Sequence, residues 1–236
     1  MTAPAIRGAT APTATLAPTS PAGTQVGDLV IVVTLSSVTS GSVPTHTLQS
    51  GWSEWLTRGT TGASRPGCLS VAAKVATVAG ASAYQAYTST ATNFVSGIIV
   101  IEGGTSASSP FAAATAARGV DFFTTPDPPA VIGLPADTLV LAIGAWTLTA
   151  AGFNAVTAPT NYTETWEIAG SDDLELSCAT RVLSASTASE DPANFTGAGG
   201  SLANALAATV ALVAPTIRQS VLGSRLIGSP IVRGLA

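Results

Sequence analysis

Gly27-Asp-Leu-Val-Ile-Val-Val-Thr-Leu35 is a short, unbroken run of mostly β-branched apolar residues entered through a Gly-Asp turn, and it reads as a strand buried in a sheet. The units after it are equally short. Gly51-Trp-Ser-Glu-Trp-Leu56 alternates large and polar residues as a half-buried strand does. Cys68-Leu-Ser-Val-Ala-Ala-Lys-Val75 follows, then strands near Ser82 to Thr88 and Val95 to Glu102, with Gly, Ser, Thr and Pro clusters between them. This spacing belongs to a β-sandwich and not to alternating strand-helix units.

The second half repeats the order. Asp137-Thr-Leu-Val-Leu-Ala-Ile143 matches Asp28-Leu-Val-Ile-Val-Val33, and Asn161-Tyr-Thr-Glu-Thr-Trp166 matches Gly51-Trp-Ser-Glu-Trp55. Leu176-Ser-Cys-Ala-Thr-Arg-Val182 matches Leu69-Ser-Val-Ala-Ala-Lys-Val75, which sets Arg181 against Lys74. Ala193-Asn-Phe-Thr196 falls where Tyr84-Gln-Ala-Tyr87 falls, and Ala207-Ala-Thr-Val-Ala-Leu-Val213 mirrors Val95-Ser-Gly-Ile-Ile-Val-Ile101. A shared order with similar loops favours a duplicated unit. The expected organisation is an extended leader over 1–20, a first β half over 21–125, a Pro-rich connector over 126–135, a second β half over 136–215 and an arm over 216–236. The fold class is all-β, a duplicated antiparallel β-sandwich, jelly-roll-like, with extended arms. Whether the halves make one sandwich or two stays open at this level; five or six strands are few for an independent core, which favours one body.

Composition narrows the function. Of 236 residues, 9% are charged and 46% hydrophobic, so Thr, Ser, Gly and Ala must cover much of the surface. A monomer ordinarily carries more charge, and the shortage points to surface buried against other copies of the chain. A net charge of -4 without a basic stripe before the last twenty residues argues against nucleic acid as a partner. No run is long and apolar enough for a spanning helix, so no membrane insertion is expected, and the N-terminal stretch lacks the pattern of a secretory signal.

Few residues suggest chemistry. His46, the single histidine, lies in a Pro-Thr-His-Thr loop with no triad or metal set evident around it, and an ordinary loop role is expected. Cys68 and Cys178 fall on opposite strand parities, which speaks against a disulfide and leaves one as a buried thiol and the other as the more exposed. Asp172-Asp173 and Asp127 lack a calcium-loop ladder. The remaining constellation is Trp52, Glu54, Trp55 and Trp166, with Glu164 matched to Glu54: aromatic residues beside carboxylates, as in sugar-binding surfaces and, for the carboxylates alone, glycoside hydrolases. Core anchoring of the tryptophans is the favoured alternative. No catalytic, metal or cofactor site is expected, and the chain is read as a non-enzyme.

The arm differs from everything before it. Ile217, Val221, Leu222, Leu226, Ile227 and Ile231 are spaced among Arg218, Arg225 and Arg233 with two Gly-Ser steps and no acid, a pattern suited to docking on a neighbour. Pro21-Ala-Gly-Thr-Gln-Val-Gly-Asp-Leu-Val-Ile, Gly51-Trp, a strand ending Ala-Lys-Val-Ala and this Leu-Gly-Ser-bearing arm resemble the β-sandwich domains of tailed-bacteriophage virion proteins, often minor tail proteins. That resemblance implies a structural component of the virion (tail tip, fibre or head surface), assembled in the host cytoplasm. It also implies copies of itself and other virion proteins as partners, host attachment as a further role, and no cofactor. The alternative is a carbohydrate-binding module or lectin-like adhesin whose partner is a host-surface glycan.

Overall fold

A computed structural model describes residues 3–61, 65–103, 112–121, 125–148, 155–171, 173–196 and 202–213. Seven strands come first: β1 (Ile6–Thr13), β2 (Leu29–Ser37), β3 (His46–Leu48), β4 (Ser53–Thr60), β5 (Gly67–Val75), β6 (Tyr87–Ser89) and β7 (Asn93–Ile101). Seven follow: β8 (Ala112–Asp121), β9 (Val131–Leu134), β10 (Leu139–Leu148), β11 (Thr163–Ser171), β12 (Leu174–Val182), β13 (Thr187–Glu190) and β14 (Leu202–Val213). No helix occurs among the described residues.

One sheet has the order β1-β7-β2-β5-β4 and the other β8-β14-β10-β12-β11, read from matching edges, and every pair is antiparallel. The two orders are the same. Left-handed backbone also recurs at matched places: Gly27 (φ 92°) and Asp137 (φ 61°) before the central strands, Gly51 (φ 80°) and Asn161 (φ 69°) before β4 and β11. These are the residue types that tolerate positive φ.

The sheets face each other as a sandwich, with β1 against β11, β7 against β12, β5 against β14 and β4 against β8. Exchanging the halves turns each of these contacts into another member of the set, so the two sheets contribute equivalent strands to the interface. Leu29, Ile31, Val33 and Leu35 of β2 share one buried core with Leu139, Leu141 and Ile143 of β10, and Val95, Ile99, Leu176, Cys178, Leu206 and Val210 belong to it. Burial on this scale makes truncation of any central side chain to Ala cost about 2–5 kcal/mol.

All nine residues of β2 and all ten of β10 are buried. Their sequences are therefore continuously apolar and not alternating, because each strand is covered on both faces. Val30, Val32, Ile98 and Val100 pack outward beneath Tyr84, Ala86 and Tyr87; Ala142 and Trp146 pack outward beneath Val156 and Phe195; Val140 and Ala211 lie beneath Val131 and Leu134.

Several expectations need correction. The 1–20 leader contains β1, paired along β7, and so belongs to the first sheet. The boundary between the halves precedes 126–135: β8 already pairs with β14, and the Pro-rich segment holds β9, paired with β13 over the second sheet. β8 escaped notice because Ala has little strand preference. The expected match of Ala207 to Val95 is shifted by one residue. Leu29 pairs with Ile101 and Leu139 with Leu212, so Ser96 corresponds to Ala207, and the slip would have put the core residues of β14 on the wrong face. Each sheet is drawn from one half, so the strand order does not carry the jelly-roll-like detail. Cys68 is as buried as Cys178, because the face it occupies is covered too.

Gly144 lies where Phe195 crosses β10: a Cβ there would stand 2.7 Å from Phe195 Cδ2. Gly144→Ala is expected to destabilise the protein by about 1–3 kcal/mol in urea unfolding, and Phe195→Leu in the same chain to recover part of the loss by freeing that space.

Candidate functional site

The four residues singled out for ligand binding do not converge. Trp166 is buried between the sheets, its ring against Gly97, where a Cβ would come within 2.9 Å of Cζ2. Trp55 sits at the β4 bulge, half-buried against the shared core, and its carbonyl accepts a hydrogen bond from Thr115 Oγ1 at 3.3 Å. Glu54 is exposed and accepts from Thr57 Oγ1 at 2.6 Å, while Glu164 is exposed on β11 of the other sheet. The arm residues 217–233 lie outside the described residues.

Trp52 borders an open cavity. Its ring meets Tyr84 edge-on, centroids 6.2 Å apart at 89°, and Lys74 Nζ stands 5.8 Å from its centroid. Trp52, Lys74, Thr77, Ala83, Tyr84 and Gln85 enclose about 200 Å³. An aromatic face, a cation and an amide at one concavity are the components of a small-ligand site. The sequence carried a partial signal for it in the matched pair Lys74 and Arg181; Tyr84 and Gln85, expected within a strand near Ser82 to Thr88, come instead from the loop before β6, which is confined to Tyr87–Ser89.

A larger cleft of about 530 Å³ lies between the start of β1 and the second sheet, lined by Ile6, Leu139, Asn161, Thr163, Arg181 and Val182. Its cation is already satisfied, since Arg181 Nη1 donates to Glu190 Oε1 at 2.9 Å.

His46 is not the ordinary loop residue expected. It lies in β3, and its ring bridges two strands of the first sheet, Nε2 to Ser36 Oγ at 2.6 Å and Nδ1 to Ser70 Oγ at 2.7 Å. Ser70 continues to Thr57 Oγ1 at 2.8 Å and Thr57 to Glu54, a chain of hydroxyls running from an exposed carboxylate into the interior. Ser36 and Ser70 are fully buried, so no substrate can reach them. Burial pushes His46 down to about 4 and the Cys68 thiol up to about 11, which leaves the imidazole uncharged and the thiol protonated near neutrality.

The second sheet holds Glu175 at the outer position that Cys68 takes in the first, opposite Trp146, fully buried with neither carboxylate oxygen hydrogen-bonded. Burial, aided by the charge on Glu167, pushes Glu175 up to about 8. Asp28 shows the contrary case. Burial disfavours its charge, yet Arg7 Nε at 2.6 Å and the backbone N–H groups of Gln25 and Gly103 outweigh that and hold it below the usual carboxylate range. No cluster of three or more His, Cys, Asp or Glu side chains suited to a metal occurs among the described residues.

Comparison with protein-family models, with curated proteins and with solved structures finds no match for the chain.

Two outcomes are expected. Trp166→Ala lowers stability by about 3–5 kcal/mol in urea titrations, whereas Trp52→Ala lowers it far less, because Trp52 is half-exposed at a cavity rim. Glu175 is neutral in the fold up to about pH 8 and ionised in the unfolded chain above 4.5, so its contribution is complete below 4.5 and lost as pH rises through about 8. Glu175→Gln should therefore gain on the wild type in thermal unfolding at about pH 9 and differ little from it at about pH 4.

Proposed function

We propose that the chain is a non-enzymatic structural component of a bacteriophage virion, acting in assembly at the tail tip, fibre or head surface. The observation that carries this reading is the division of charge. All thirteen acids precede Thr216 together with six of the nine basic residues, so the body carries -7 and the arm over 216–236 carries +3. An apolar, basic arm and an acidic body of the same chain are complementary, which suits docking between copies. The β8 edge adds support. The pairings of β1, β4 and β11 with their neighbours carry register shifts of the kind that blunt an edge, while β8 pairs with β14 over its whole length without one. The interior burial of Ser36, Ser70 and Cys68 also suits a scaffold better than a catalyst.

A second reading, saccharide binding, is favoured by the Trp52 cavity and is compatible with the first if the virion protein is also the host-surface binder.

Removing residues 216–236 is expected to leave the circular-dichroism spectrum and unfolding transition of the body intact. It should convert salt-sensitive self-association, followed by light scattering, into a monomer and abolish incorporation into particles. Normal incorporation of the truncated chain would refute the assembly role.

A further inference from the structure

The two halves hold the same three-residue arrangement beside their outer faces, with one member changed. In the second half, Tyr162 Oη and Arg181 Nη1 both donate to Glu190 Oε1, each at 2.9 Å. Lys74 corresponds to Arg181, since Val30 pairs with Lys74 as Val140 pairs with Arg181. Trp52 corresponds to Tyr162: each follows a left-handed residue, and each backbone N–H donates to the carbonyl three residues back, Gln49 or Pro159.

The third member is found from the backbone. Ala76 exchanges hydrogen bonds with Gly27 and Asp28, as Leu183 does with Asp137 and Thr138. Seven residues beyond Ala76 and Leu183 stand Ala83 and Glu190. Each is bridged antiparallel to the segment that leads into its central strand, Ala83 to Thr19 and Glu190 to Val131. An alanine thus occupies the place where the second half has a carboxylate.

The consequence is visible around Ala83. Arg7, Arg65 and Arg181 are each ion-paired, but among the described residues no acid pairs with Lys74, and the cavity opens beside it. We propose that this cavity binds an acidic saccharide whose carboxylate takes the position that Glu190 fills in the other half. Lys74 supplies the charge, and the Trp52 ring supplies a flat apolar face for the C–H surface of a pyranose. Gln85 donates from Nε2 to the Tyr87 carbonyl, which leaves its amide oxygen to accept from a sugar hydroxyl. A cavity of about 200 Å³ is smaller than the roughly 300–1,000 Å³ of sites for larger ligands, so one ring enters. The ligand class rests on the saccharide reading above, whereas the charge complementarity does not.

The full chain is titrated calorimetrically with methyl glucuronide, methyl glucoside and N-acetylglutamate amide. Glucuronide is expected to bind at least tenfold more tightly than either of the others, and Lys74→Gln and Ala83→Glu each to weaken it tenfold or more. Without any ligand, Ala83→Glu should unfold about 2–4 °C above Ala83→Gln, and this difference should vanish in a Lys74→Gln background. Equal binding of glucoside and glucuronide overturns the acidic ligand and spares the saccharide reading. Failure of both sugars overturns both, preference for the glutamate amide overturns the saccharide class, and equal melting of the two Ala83 variants overturns the vacant-carboxylate position.

Discussion

The structure depends on two strands that cannot show either face to water. β2 and β10 are buried along their whole length, so each sheet needs apolar cover on both sides. The inner cover is the other sheet. The outer cover is built from loops and the short ladders β3–β6 and β9–β13, which lay Tyr84, Tyr87, Val156, Phe195, Val131 and Leu134 on the sheets.

Covering the outer faces has an electrostatic cost. Positions that would be wet in an ordinary sandwich become interior, and their polar groups must find partners there. The first sheet solves this with His46, which links Ser36 and Ser70 and stays neutral. The second sheet keeps Glu175 protonated and without a hydrogen bond. The two groups respond to pH in opposite senses: the His46 contribution is complete above 6.5 and lost as pH falls through about 4, while that of Glu175 is lost as pH rises through about 8. Neutral forms of both groups coexist in the fold near neutrality.

The two halves share one frame. Strand order, left-handed turns and the reciprocal bonds at Ala76 and Leu183 are held in common, so differences at matched positions stand out against a constant background. Glu190 closes one site with an internal ion pair, and Ala83 leaves its counterpart open beside Trp52 and Lys74.

By itself, the sequence determined the all-β class, the place of the central strands and the match of Lys74 to Arg181, because burial on both faces leaves a continuous apolar run that needs no partner to be recognised. It also determined that Cys68 and Cys178 lie on opposite faces, since parity is local. Only the tertiary structure decided that the outer faces are covered, and hence that Cys68 is interior and His46 half-buried against Ser36 and Ser70. It alone decided the one-residue register of β14, the recruitment of Ala-rich β8 to the second sheet, and the separation of Trp166 and Trp55, in contact with the core, from Trp52 at a cavity. Those outcomes depend on contacts between segments far apart in the chain, and residue type and period say nothing about which distant surface a side chain will meet.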